Sequence, residues 1–553
     1  MKKFNCKKIS YLILILFQLA VCVYFGQQKR TYFCDETYSY GLANSEEFTF
    51  VDHDTAQSFS TNNGWVTEDF FISYVEVDMN TPFSLRAAYM NQVNDVHPPL
   101  YYILLHIFCY IFGGSFSKRA GISLNLTILL LIDAVLYYIC NYFYRNNKAK
   151  SIMTILLWSL SAAGLSNILF IRMYLLLTFE ILLYIATHIY GVKHQFNVYF
   201  IIFLYASVIL GGLTHYYFYP FAFFFSAPIC IWLLINHKIK NFLMYTLTLC
   251  GGFISNLLIF PATLSHVFSG YRGSEAFSNL ENRSENVFEL YYSKVINNSI
   301  FAGMFKLFVI IAIIAVIYKL FNYFVKIDLI LINNNIEFSI ERIHDLKFYT
   351  HKHNVKIYGS SIIYALTSCA IVGYAYISIV GSSLISSRYI YPIYPIVAMW
   401  IVSFISWIMA IFCTNGIMIK VISYFVVLLL CFGSVKKYGI DFSYKEYPEY
   451  ARQAEIAKGY DCLLYFGDVW WDIYTAYPLH FIYDETYLFN NADIDNLNEI
   501  LDYRETKDNV VVCLSDGYND EQTSNILNHI VDTTEYTDYE CVYRYYMQVY
   551  LLK

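Results

Sequence analysis

Apolar runs of about 20 residues recur along this 553-residue chain from Tyr11 to Ser434. Each is long enough to cross a hydrocarbon core about 30 Å thick. No water is available there to hydrogen-bond the backbone, so such runs fold as helices that satisfy their own amides. Composition agrees: 57% of residues are hydrophobic and 14% charged, against about 25% charged in ordinary soluble domains. A large soluble enzyme is excluded. The net charge of −6 says little about partners, because the charges are unevenly placed.

The first run, Tyr11 to Phe25, follows "MKKFNCKK". No small-residue cleavage site follows it, so an uncleaved first span is expected. Further spans are expected near 119–140, 151–171, 173–191, 197–213, 216–235, 241–262, 300–322, 357–380, 390–413 and 417–434, about eleven in all. Lys and Arg gather in the loops 144–150, 191–195, 236–241 and 325–356. Short basic loops favour the cytoplasmic side. All four share that side with the N-terminus only if "HPPLYYILLHIFCYIFGG" (97–114) does not cross. It is expected as an interfacial or re-entrant helix, opened by its double proline and ended by Gly113 and Gly114.

Two segments then lie outside, 27–118 and 263–299, and residues 435–553 form a soluble extracytoplasmic domain. Within that tail the apolar stretches 462–466, 480–489 and 509–516 alternate with helical patterns at 447–458, 492–504 and 519–531. Such alternation predicts a small α/β domain. The closing "CVYRYYMQVYLL" predicts an edge strand or hairpin. The fold class is thus a mainly α polytopic membrane protein with outer interfacial helices and a small α/β tail. The 13 cysteines lie mostly inside apolar runs and define no disulfide framework.

These sides bring unusual polar residues to one membrane depth. They are Asp35 and Glu36 after the first span, Asp95 and His97 before the interfacial helix, and Arg172 and Tyr174 near the outer end of the third span. His215 and Tyr216 follow the fifth span, Arg272 and Glu275 lie in the second outer loop, and Arg388 and Tyr389 precede the tenth span. Each has an ordinary explanation. The acids could be solvated, His97 could cap its helix, the arginines could snorkel, and the tyrosines could form an interfacial belt. Only their coincidence points to a site.

The chemistry fits transfer of a sugar from a lipid phosphate. A carboxylate can take the acceptor's proton. Cations can hold the departing phosphate as charge builds on it, and the planar fork of arginine suits two phosphate oxygens. Ionisable groups at membrane depth are a functional hypothesis by default. A transporter or flippase for lipid-linked saccharides would instead place its charges in mid-span, where Asp133 and Glu180 are the main ones. A membrane-anchored receptor explains the tail but not the constellation.

In order, "DE" after the first span, "HPPL" heading an outer helix, "R-x-Y" after the third span, "THYY", and "RY" followed by prolines resemble the GT-C superfamily of membrane glycosyltransferases. The nearest branch holds the protein O-mannosyltransferases and bacterial aminoarabinose transferases. The resemblance covers roughly 10–435 and leaves the tail outside the shared core. It implies an inverting transfer from a polyprenyl- or dolichyl-phosphate sugar to an extracytoplasmic acceptor, with membrane lipid as neighbour and no nucleic acid. It gives Asp35 the catalytic role, with Glu36 supporting it, and His97, Arg172 and Arg388 the donor phosphate. Asp95, Tyr174, His215, Tyr216, Arg272, Glu275 and Tyr389 become substrate contacts. "HPPL" stands where aminoarabinose transferases have "KPPL", and Met173 separates Arg172 from Tyr174. No cofactor is implied, although two outer carboxylates could hold a divalent cation.

Single cysteines at Ser117 and Glu275, and in the tail, are expected to react with an impermeant thiol reagent on intact cells. Cysteines at Lys148, Lys193 and Lys352 are expected to stay unlabelled. Labelling at position 148 would overturn this orientation.

Overall fold

A computed structural model of the chain describes residues 6–553 except 61, 82, 283–286, 333–334, 343–358, 445–453 and 503–508. Lys352 and most of the 447–458 pattern lie outside the described residues. Among the described residues eight helices are long and apolar enough to cross a membrane, and two bent pairs raise the number to ten. The bent pairs are Lys148–Leu160 with Ala162–Leu169, at 63°, and Val287–Ile300 with Phe305–Lys319, at 82°. Val198–Thr214, at 17 residues, stands at the remaining place expected from the sequence. The protein is a multi-pass membrane protein.

Leu100–Ile111 has only 12 residues. At 1.5 Å per residue it is about 18 Å long, too short to span. Pro99 precedes its first residue and accepts from the Ile103 N–H at 3.0 Å. Gly113 and Gly114 turn left-handed at φ +89° and +80°, and the Gly114 N–H returns to the Cys109 carbonyl at 2.9 Å. This left-handed stop satisfies a carbonyl that the helix end would otherwise orphan.

The apolar run 151–171 reads as one span but breaks at Ser161. The Ser161 hydroxyl accepts from the Gly164 N–H at 3.3 Å, and the Ala162 N–H donates to Ser434 Oγ at 3.0 Å. A Cβ on Gly164 would lie 1.6 Å from the Trp158 carbonyl oxygen. The bend therefore requires glycine there. After the break, Asn125 Nδ2 donates to the carbonyls of Ile168 (3.0 Å) and Phe170 (2.8 Å). It thereby ends the helix two residues before Arg172.

The tail forms one six-stranded sheet. Its strand order is Trp65–Val66, Thr486–Phe489, Asp461–Tyr465, Val510–Ser515, Met547–Leu552 and Tyr539–Tyr545. Thr486–Phe489, Asp461–Tyr465 and Val510–Ser515 run parallel. The last two strands form the expected hairpin, with Tyr546 at its turn. The edge strand Trp65–Val66 belongs to segment 27–118, which therefore completes the tail's sheet. The seam is hydrogen-bonded: Thr37 Oγ1 donates to the Tyr474 carbonyl at 2.7 Å, Thr31 Oγ1 to that of Thr475 at 3.2 Å, and the Tyr477 hydroxyl to that of Phe71 at 2.9 Å. Tail and segment 27–118 together cap one end of the bundle.

Gly164→Ala is expected to destabilise the protein by about 1–3 kcal/mol, the usual cost of overpacking, read as a lower Tm in detergent. An unchanged Tm would show that the bend does not depend on glycine.

Candidate active site

The site begins with the helix Cys34–Asn44 at the capped end of the bundle. Its first turn carries both acids, and they face different ways. The Glu36 side chain is fully buried. It pairs with Lys29 Nζ at 2.7 Å, and accepts the N–H of Phe33 at 2.8 Å and that of Ile171 at 2.9 Å. Burial pushes the Glu36 carboxyl up and the Lys29 amine down, and their mutual contact opposes both shifts. Glu36 thus caps its own helix and fixes the residue before Arg172. Its oxygens are engaged on the side away from the other polar groups.

Asp35 keeps 21% of its side chain exposed. Arg388 donates to its Oδ2 through Nη1. Arg172 Nη1 donates to the Asp35 carbonyl and to Ser39 Oγ, each at 3.2 Å. Burial acts to raise the Asp35 carboxyl. Arg388, with Arg172, His97 and Arg272, outweighs burial and holds it below the usual carboxylate range. Both guanidinium groups are themselves buried, and their Nε atoms have no hydrogen-bond partner among the described residues. Arg172 lies over the Tyr102 ring at 5.6 Å, and Arg388 over Phe33 at 5.7 Å and Tyr389 at 5.2 Å.

Asp441 holds Arg388 in place, since its carboxylate accepts from the hydroxyls of Ser387 (2.8 Å) and Tyr391 on either side of that arginine. Tyr174, Tyr389, His215 and His97 form a continuous set of rings: Tyr174 lies 6.0 Å from Tyr389 and 5.5 Å from His215, which lies 5.8 Å from His97. His97 Nδ1 is 2.8 Å from Asp95 Oδ2. Burial lowers the His97 pKa, and Asp95 only partly offsets this. Burial lowers His215 further, reinforced by the neighbouring His97, Arg172 and Arg388. The Tyr217 N–H donates to His215 Nδ1 at 3.0 Å, so a neutral His215 carries its hydrogen on Nε2.

Asp35, Asp95, His97, Arg172, Tyr174, His215, Arg388 and Tyr389 are therefore gathered as the sequence predicts. Tyr216 is turned away, with its hydroxyl on His266 Nδ1 at 2.9 Å. Arg272 and Glu275 pair with each other at 2.8 Å on an exposed helix, although Arg272 still acts on Asp35. Sequence reasoning missed Lys29, Ser39, Tyr102, Tyr217 and Asp441. Ser39 was within reach, since it follows Asp35 by four residues on one helix face. Among the described residues no group of three or more His, Cys, Asp or Glu side chains is placed to hold a metal ion.

A multi-pass bundle capped by an α/β tail, with charged groups gathered beneath the cap, defines the class. Its fold is that of the crystallised protein ArnT. The crystal structure of ArnT from Cupriavidus metallidurans bound to undecaprenyl phosphate matches with TM-score 0.52 at 11% identity, covering 98% of this chain and 97% of that one. The same enzyme in the apo state matches with TM-score 0.51 at 11% identity, covering 99% and 98%. The likeness thus runs through the tail, and the shared architecture does not stop near 435 as the sequence motifs do. No protein-family model and no curated protein sequence matches the chain.

Lys29→Met leaves Glu36 buried without its cation and is expected to cost about 3–5 kcal/mol, read as a large fall in Tm. Adding Glu36→Gln is expected to restore part of it. Asp35 has the opposite pH signature to a raised acid: its pairing contributes stability above the unfolded carboxyl value of about 3.9 and loses it as the pH falls through the lowered folded value. Asp35→Asn is therefore expected to flatten the acid limb of a Tm-against-pH curve below about pH 4. An unchanged limb would show that Asp35 is not held low.

Proposed function

We propose that this protein transfers a sugar from a polyprenyl-phosphate donor to an extracytoplasmic acceptor, with inversion. The observation that carries the reading is the contact of Asp35 with two buried arginines whose Nε donors have no partner among the described residues. The oxygen of an acceptor hydroxyl attacks the anomeric carbon from the side opposite the phosphate. The bond between that carbon and the phosphate oxygen breaks, and its electron pair leaves with polyprenyl phosphate. The acceptor's proton passes to Asp35. Arg172 and Arg388 hold the phosphate with their forks, where its charge grows in the transition state.

His97 gives its Nδ1 hydrogen to Asp95, so its Nε2 donates to phosphate only once the ring is protonated. The second negative charge that develops on the departing phosphate favours that proton. Tyr174, Tyr389 and His215 line the sugar's place, Glu36 acts through the backbone it holds, and Arg272 adds positive charge above Asp35. An apolar groove of about 930 Å³ between the helices Phe218–Ile235, Ile239–Ile259 and Ala262–Phe268 suits the isoprenoid chain. The ArnT crystallised with undecaprenyl phosphate supports this donor class. The cap and the tail then face the outside, and the basic loops face the cytoplasm, in accord with the positive-inside rule.

A radiolabelled-sugar assay with extracted polyprenyl-phosphate sugars tests the reading. Asp35→Asn is expected to lower the transfer rate by roughly 10²–10⁴-fold, the typical contribution of a general base. A variant keeping more than roughly a tenth of the rate would remove Asp35 from that role. Arg388→Lys keeps the charge but loses the fork, and one charge-assisted bond of about 1.5–3 kcal/mol corresponds to a roughly ten- to hundredfold loss in donor kcat/KM. An unchanged donor dependence would leave Arg388 as a helix anchor only.

A further inference from the structure

A second cavity, of about 340 Å³, opens at the seam between the tail hairpin and the chain that leaves the last span. Phe442, Ser443 and Tyr444 line it from one side and Tyr545 and Tyr546 from the other. Its volume falls in the range of small-molecule sites, roughly 300–1,000 Å³. Three of these aromatic residues hold left-handed backbones: Phe442 at φ +60°, Tyr444 at +47° and Tyr546 at +58°. Bulky residues rarely adopt that region, because Cβ crowds the following carbonyl. Strain of this kind costs about 1–3 kcal/mol per residue and gathers where a ligand needs a particular shape. Here it converges from two distant parts of the chain onto one cavity.

The cavity sits one ring-layer from Asp35. The Phe442 ring lies 4.8 Å from that of Phe33, and the Arg388 guanidinium lies over the Phe33 ring at 5.7 Å. Tyr444 lies within electrostatic range of Asp35. The ring edges and faces are fixed, with Tyr546 edge-on to Tyr444 at 5.1 Å and Tyr545 at 4.1 Å from Tyr546. Among the described residues the neighbouring cation is Lys29, over the Tyr444 ring at 5.8 Å, and its ammonium is committed to Glu36 and to the Phe442 carbonyl. Ring faces that accept apolar C–H surface, beside hydroxyls that both donate and accept, suit a neutral polyhydroxylated ring.

We infer that this cavity is a saccharide subsite beside the transfer site, its ligand held on Tyr444 and Tyr546. The inference rests on the transfer reading above, but its binding claim is measurable without turnover.

Saturation-transfer NMR on the detergent-solubilised full chain tests it, with a panel of methyl hexopyranosides as saccharide probes and a Gly-Ser-Thr-Gly peptide as control. At least one glycoside is expected to give a signal well above the peptide. Tyr546→Ala and Tyr444→Ala are expected to reduce that signal at least fivefold, while Tyr546→Phe keeps most of it. Binding of a short-chain polyprenyl phosphate, measured in the same samples, is expected to stay unchanged, which also shows that the variants are folded. Signals equal in all variants, a peptide signal that depends on Tyr546, or no glycoside signal above the control would each overturn the saccharide subsite. Loss of polyprenyl-phosphate binding by the wild type, with glycoside binding intact, would instead overturn the donor reading and leave the subsite standing.

Discussion

The buried contact between Lys29 and Glu36 holds the rest of the site in register. Lys29 is the residue after the first spanning helix, and Glu36 lies in the first turn of the next. The carboxylate joins that pair to the N-terminus of its own helix and to the amide of Ile171. Three separate pieces of chain are thus fixed by one group with two oxygens. An ion pair buried this deeply gains little net stability over apolar packing. What it provides is placement: Asp35 is its neighbour on one side, and Arg172 is the next residue on the other. A buried charge without its partner is costly enough that these pieces cannot drift apart independently.

The tail has a comparable part in the architecture. Its sheet is closed at one edge by Trp65–Val66 from the segment after the first span. Tyr474 and Tyr477 bond back to that same segment. Asp441, just beyond the last span, receives the hydroxyls on both sides of Arg388 and bonds through its own amide to Ser166 Oγ at 2.9 Å. Movement of the tail against the bundle would therefore be felt at the guanidinium that touches Asp35. The tail is continuous with the site, although in sequence it reads as a separate soluble unit.

Much of this was legible in the residues. Span positions followed from apolar runs, and the basic loops required that 97–114 not cross, which its 12-residue helix allows. The polar residues were gathered correctly because a membrane protein has few places for charge. The failures have physical causes. Glu36 was read as supporting Asp35, and adjacent residues on a helix point about 100° apart, so its support comes through the backbone it holds and not from the same face. Tyr216 was placed in the site and Tyr217 was not, because "THYY" offers no cue to which ring a helix start will turn inward. The break at Ser161 was hidden because Ser and Gly are common within spans, and only the position of the Trp158 carbonyl makes Gly164 necessary. Asp441 lies between the last span and the tail with no motif around it. Its role exists only once the chain has folded back on Arg388.

Taken alone, the pairing of Asp35 with Arg388 opposes base catalysis, since a carboxylate held below its usual range is a weak proton acceptor. Under the proposed reaction the opposition resolves through the second ligand. Arg388 has one fork: Nη1 donates to Asp35, and Nε has no hydrogen-bond partner among the described residues. The donor's phosphodiester carries one negative charge, as a carboxylate does, and offers oxygens to both prongs, so it competes for the guanidinium. As Arg388 turns to the phosphate, Asp35 loses the strongest of the attractions that lowered its pKa, while the burial that raises it remains. In the proposed reaction the carboxylate becomes a better base when the donor has arrived, and before that an acceptor hydroxyl would meet a weaker one. The charge that binds one substrate thereby sets the reactivity offered to the other.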